Sequence, residues 1–227
     1  SRMKKLLLLI LTLLTFSAKA QTSVYHPFPD SATVWNIHYY WYCFMNGTGN
    51  EDYSIILSSD TLINSQTYHK LTTPYVLSSS TGCPGPPAGY KGSIRQDTAN
   101  RKIFFVPPSN STEQLLYDFT MQVGDSVQGY TTSLNPEIVK SIDSVLVGNN
   151  YRKRWNINSS YNVSFIEGIG STYGLIEPIR TSTDMPDFSI TCFQQNGITL
   201  YPGTTTNCQL ITSIDFIENV FYRNEYL

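Results

Sequence analysis

Glu167 is the carboxylate best placed for chemistry in this chain. Phe165, Ile166 and Ile169 flank it, and burial among apolar side chains raises a carboxyl pKa toward the range of a general acid. A two-carboxylate hydrolase such as a glycosidase would pair Glu167 with a second acid, for which Asp118 and Asp143 are the candidates. The competing reading makes Glu167 a structural anion, held by Arg95 and by the backbone donors of Gly168 and Gly170. The ion pair is the reading adopted, because alternation around Asp118 turns that side chain to solvent and Asp143 opens a hairpin. No residue is assigned as catalytic.

Other chemistries fare less well. Gly170-Ser171 lacks the Gly-x-Ser-x-Gly spacing of a nucleophile elbow and reads as a tight turn. His26, His38 and His69 are scattered, without a His-Glu-x-x-His pair, so no metal is expected and each histidine is read as structural. There is no calcium loop, phosphate-cradling loop or dinucleotide fingerprint, and no cofactor is expected.

The segment Trp35–Phe44 offers binding instead. As a strand it puts Trp35, Ile37, Tyr39, Trp41 and Cys43 on one face and His38, Tyr40, Tyr42 and Phe44 on the other. One face must enter the core. A strand covered on both sides is the plainer expectation for so aromatic a segment. Were one face left open, Trp35, Tyr40, Trp41 and Tyr42 would be the candidates for stacking on a glycan or packing on a protein ligand.

Such residues need strands to carry them, and the rest of the chain supplies strands. Tyr, Phe, Thr, Val and Ile recur between turn residues, and no helical period is sustained. Leu115, Tyr117, Phe119, Met121 and Val123 alternate with Asp118, Thr120 and Gln122, which predicts a half-buried strand ending at Gly124-Asp125. Asn196-Gly197 between Phe188–Gln195 and Ile198–Tyr201 predicts a hairpin, and Gly92–Gln96 with Lys102–Val106 predicts another. Asp60 to Lys70 and Asp143 to Lys153 share an Asp, an apolar strand end, a polar turn and a Tyr at matching offsets. Each reads as a hairpin that returns its Tyr to the apolar face, and the likeness leaves an internal duplication open. The expected fold is all-β and mainly antiparallel, a sandwich or partly closed barrel built from hairpins.

Met3-Lys4-Lys5, a leucine-rich run to Phe16 and Ala18-Lys19-Ala20 read as a signal peptide over residues 1–20, cleaved after Ala20. The apolar run is shorter than the roughly 20 residues a spanning helix needs, so no transmembrane segment is expected in the mature chain. A single β-rich domain is then expected over 21–212, with 213–227 as a tail or last strand. Arg2, Lys4, Lys5 and Lys19 belong to the leader, which leaves 11 basic against 17 acidic residues and a net charge of −6. That balance argues against nucleic acid as partner. Cys43, Cys83, Cys192 and Cys208 all lie in the exported part, where thiols oxidise to structural bridges. Short-range closure favours Cys43 with Cys83 and Cys192 with Cys208 among the three pairings.

Several pieces resemble a family of uncharacterised secreted β-rich proteins from Bacteroidota-type bacteria, many of which carry a C-terminal sorting domain for type IX secretion. They are Asp60-Thr61-Leu62-Ile63-Asn64 with Tyr68-His69-Lys70-Leu71, Gly92 to Asp97, Leu115 to Phe119 with Val123-Gly124-Asp125, Phe165 to Ser171 with Gly174-Leu175, and Cys192-Phe193 with Asn196-Gly197. The resemblance implies secretion or surface delivery and no particular activity. Tyr222-Arg223-Asn224 departs from the Tyr-Pro-Asn-Pro opening of that sorting domain, which is read as absent or truncated. The function expected from residues and resemblance together is a secreted or cell-surface module binding a glycan or a protein. The alternatives are a hydrolase centred on Glu167 and a passive structural or adhesion domain.

Overall fold

Side-chain alternation organises this chain into thirteen strands, with no helix among the described residues. The computed structural model describes residues 24–43, 47–83, 85–132, 137–159, 161–179, 186–203, 208 and 210. The leader at 1–20 and the segment 213–227 lie outside the described residues. The strands are β1 (Thr33–Cys43), β2 (Gly47–Ile63), β3 (Gln66–Thr73), β4 (Val76–Ser78), β5 (Gly89–Asp97), β6 (Lys102–Val106), β7 (Gln114–Asp118), β8 (Val139–Val147), β9 (Asn150–Ile157), β10 (Ser164–Ile166), β11 (Gly170–Ser171), β12 (Asp187–Gln195) and β13 (Ile198–Tyr201). Nine of them form one antiparallel sheet in the order β13-β12-β1-β2-β3-β5-β6-β7, with β4 beside β2, and this sheet curls into a half-barrel. A second sheet runs β11-β10-β9-β8. The all-β, partly closed expectation is borne out.

Turn chemistry sets the register. Asn64 and Ser65 both take positive φ, at 49° and 65°, and join β2 to β3 in the two-residue geometry that matches strand twist. Asn196 and Gly197 do the same between β12 and β13, at 52° and 75°. The expected hairpins β5–β6 and β8–β9 also form. The two similar hairpins sit in different sheets, and their tyrosines diverge: Tyr68 is buried, whereas Tyr151 is 47% exposed beside its turn. Tyr68 is covered because its hydroxyl meets Glu113 and its ring meets Arg95, while Tyr151 pairs across the hairpin only with exposed Leu146.

The expected strand from Leu115 to Val123 stops at Asp118. Its carboxylate accepts the Thr120 N–H at 2.8 Å and the Thr120 hydroxyl at 2.6 Å, and such local side-chain bonds compete with the ladder. Phe119 and Met121 still reach the core from the following turn, but Val123 is exposed.

The core is a run of aromatic rings between the sheets. Phe28, from the strap that precedes β1, lies 6.3 Å from Trp35 and 5.9 Å from Tyr117, measured between ring centroids. Tyr117 meets Phe165 of β10 edge-on at 5.0 Å, and Phe119 meets Trp155 of β9 at 5.3 Å. Each polar tip is satisfied: Trp35 Nε1 donates to the Ile169 carbonyl and Trp155 Nε1 to the Met121 carbonyl, both at 2.9 Å. The Tyr117 hydroxyl donates to the Leu175 carbonyl and accepts from the Ser171 N–H. Without these partners each buried group would cost about 1–3 kcal/mol.

Two disulfides, Cys43–Cys83 and Cys192–Cys208, follow the short-range pairing. The second places Cys208 on the outer face of the sheet, where Asn36 Nδ2 donates to the Cys208 carbonyl and the Tyr75 hydroxyl to that of Leu210 at 2.6 Å. Replacing Cys192 and Cys208 together by alanine should lower the unfolding free energy by about 3 kcal/mol, as expected for a loop of this length. Urea unfolding measures it, and a loss below about 1 kcal/mol would show that hydrogen bonds alone hold residue 208 there.

Candidate functional site

On β1 the core face carries Trp35, Ile37 and Tyr39, all buried, with Trp41 half-buried in the same row. The opposite face is open, so the expectation of a strand covered on both sides does not hold. Tyr40 is 45% exposed and Tyr42 is 62% exposed. The reason lies in the topology: the second sheet packs inside the curl, and among the described residues the outer face of β1 is met only near Asn36, by Cys208. Trp35 is thereby corrected from a candidate binding residue to a core residue, with its N–H spent on Ile169. Of the four aromatic candidates, Tyr40 and Tyr42 share an open face.

The register fills in their surroundings. His38, Tyr40 and Tyr42 stand opposite Asp52, Asn50 and Thr48 of β2, while Ser189 and Asp187 of β12 stand opposite His38 and Tyr40. His38 Nδ1 is 2.9 Å from Asp52 Oδ1. Two phenol rings spaced along one strand, bordered by amide, hydroxyl and carboxylate groups, make a flat shelf with apolar faces and polar edges. Pairing on both sides makes β1 a rigid support, and Cys43–Cys83 ties its end to the 79–83 loop.

Glu167 is 2% exposed, but its partner is His26 and not Arg95. Its Oε2 accepts the His26 backbone N–H at 3.2 Å and lies 3.1 Å from His26 Nδ1, while Arg152 Nη1 donates to the Glu167 carbonyl at 3.3 Å. The expected Arg95–Glu167 pair fails because successive strand residues face opposite ways. Ile94 points into the core, so Arg95 points out, stacks 4.8 Å from the Phe104 ring and forks onto Glu113 at 3.0 and 2.8 Å. Of the two proposed partner acids, Asp118 pairs with Lys102 at 3.3 Å and Asp143 with Arg154 at 2.7 Å. Neither is turned to Glu167. Gly170-Ser171 is strand β11 and not the turn its sequence suggests; Ser171 is fully buried, and its hydroxyl accepts the Tyr173 N–H at 3.0 Å. Among the described residues no three His, Cys, Asp or Glu side chains come together as a metal site.

Sequence reading missed a second cluster, at the end of the half-barrel near residues 78–91. Tyr53 donates to Glu177 Oε1 at 2.6 Å, and the Ile176 N–H donates to Oε2 at 2.9 Å. Lys91 lies 5.9 Å from the Tyr53 ring centroid, and Glu51 accepts from Ser78 at 3.0 Å and Ser80 at 3.1 Å. A Cβ at Gly85 would meet the Glu51 carboxylate, so a side chain there would require that carboxylate to shift. Burial pushes the Glu177 carboxyl up against these hydrogen bonds and the Lys91 charge, and it lowers the Lys91 ammonium despite both acids. Tyr53 is driven well above its usual range by burial and then by Glu177. One sequence signal did exist: Glu51 falls in the inward row with Tyr53 and Ile55, an acid on an apolar face. Glu177 follows Leu175-Ile176 with no period to mark it.

No family model, curated protein or solved structure matches this chain.

The raised Glu177 carboxyl has a stability consequence. Its protonated form stabilises the fold fully below the ordinary value of 4.5, and that contribution fades as pH climbs toward the raised native value. The stability of the wild type relative to Glu177→Gln should therefore decline as pH rises above 4.5, measured by urea unfolding at several pH values. A difference that stays constant with pH would overturn this assignment.

Proposed function

We propose that this chain is an exported, non-catalytic module that binds glycans on the outer face of β12–β1–β2. The observation that carries the reading is the exposure of Tyr40 and Tyr42 on one face of a strand paired on both sides. Exposed aromatic rings on a rigid sheet forgo burial that would stabilise the fold, and a ligand that covers them recovers it. Sugar rings suit this shelf because their C–H faces stack on phenols while their hydroxyls reach Asn50, Asp52, Ser189 and Thr48.

The export half of the reading rests on the leader pattern, on two disulfides of a kind that persists in oxidising compartments, and on the resemblance to secreted Bacteroidota-type proteins. No helix among the described residues is long and apolar enough to cross a membrane. A hydrolase centred on Glu167 is less well supported, because that carboxylate is buried against His26 and its proposed partner acids are paired elsewhere.

A glycan array probed with the protein should yield binders, and Tyr40→Ala or Tyr42→Ala should each weaken binding about tenfold or more, as loss of an aromatic anchor does. Glu167→Gln should bind as the wild type does. Binding that survives loss of both tyrosines, or turnover lost with Glu167, would overturn the proposal.

A further inference from the structure

A cleft of about 400 Å³ opens on the inner side of the half-barrel, between the strap before β1 and the ends of β3, β5 and β6. Phe28, Ile94 and Ile103, all buried, form its floor, and Pro27 and Pro29 of the strap close one side. The strap is pinned at three points, so the cleft is preformed. Phe28 packs among Trp35, Tyr117 and Phe119, and His26 meets Glu167. The Tyr25 hydroxyl accepts from Gln96 Nε2 at 3.0 Å, with Arg101 over its ring at 5.3 Å.

The polar groups that remain are those of a site for hydroxyls. His69 Nδ1 lies 2.7 Å from Asp60 Oδ1, which leaves Nε2 as the ring's remaining hydrogen-bonding group on the cleft wall. Gln96 spends its amide N–H on Tyr25 and keeps its carbonyl oxygen as an acceptor. Thr67 and Thr98 add hydroxyls, and Asp30 adds a carboxylate at the rim. Arg95 also borders the cleft, but its charge is met by the bidentate contact with Glu113. The lining therefore offers hydrogen-bond donors and acceptors over an apolar floor, with the Asp30 carboxylate at the rim and its arginine already met by Glu113, an arrangement that does not attract an acid.

We infer that this cleft is a binding site for one neutral, hydroxyl-rich ring, a monosaccharide unit, seated over the Phe28–Ile94 floor with its hydroxyls on His69, Gln96 and Thr98. Its volume falls within the range of small-molecule pockets, and the pinned strap spares the ligand the entropy of ordering it. The site is separate from the outer shelf, on the other face of the sheet, and does not depend on it.

The test is a titration of the isotope-labelled protein with glucose, galactose, mannose, xylose and N-acetylglucosamine at millimolar concentration, read as amide shifts in two-dimensional NMR. At least one neutral sugar should move the amides of His69, Gln96 and Thr98. Thr98→Trp, in an exposed turn, should fill the cleft and abolish those shifts while leaving the spectrum folded. His69→Ala should weaken binding about fivefold, the worth of one hydrogen bond. The Tyr40→Ala/Tyr42→Ala double variant should keep the shifts whatever the array shows, which separates this site from the shelf. No response to any neutral sugar, shifts that persist in Thr98→Trp or vanish in the tyrosine variant, or tighter binding of glucuronate or glucosamine than of every neutral sugar would overturn the inference.

Discussion

A sheet that curls without closing has an inside that its own strands leave unfilled, and this constraint shapes the rest of the molecule. The interior is filled by the second sheet and by the segment from Phe165 to Leu175, which presents bare carbonyls to the rings around it. Trp35 and Tyr117 read those carbonyls with their N–H and O–H tips, so the aromatic core is directional as well as apolar. An aliphatic core of equal area would repel water as strongly but would leave Ile169 and Leu175 with unmet carbonyls. The same bonds hold the segment that carries Glu167 and leads into Glu177.

Charge is handled by local pairing. His26, His38 and His69 each sit on a carboxylate, Arg95 and Arg154 each fork onto one, and these pairs spread over both sheets. Glu113 illustrates the balance: burial would raise its carboxyl, yet the Arg95 fork and the Tyr68 hydroxyl hold it below the usual carboxylate range. The end cluster follows a different logic. Glu51 and Glu177 are tied by hydroxyls and a backbone N–H, and Lys91 stands off from both, so burial dominates there.

The legible parts of the sequence were the local ones. Asn196-Gly197 and Asn64-Ser65 sit where strands reverse, and two-residue turns leave little freedom in register, so hairpin positions followed from turn chemistry. Cysteine pairing followed from proximity along the chain. What depended on distant packing was less readable. The strand after Asp118 looked continuous because alternation alone does not reveal that a carboxylate will cap Thr120. Arg95 and Glu167 looked like partners because both are charged and near apolar residues, but strand parity puts them on opposite sides of the sheet. Tyr40 and Tyr42 stayed exposed because, among the described residues, the layer that packs on the sheet lies on one side of it. The end cluster needed residues 51, 53, 91 and 177 to meet, a coincidence that no window along the chain displays.

Because β1 is an interior strand, the outward side chains around Tyr40 form a raster of fixed pitch: about 6.6 Å from one residue to the next but one along the strand, and about 4.8 Å to the neighbour across it. A change at Asn50, Ser189 or His38 would repaint one square of that raster and leave the rest where they stand. The pattern such a surface presents can drift by single replacements, without any rebuilding of loops.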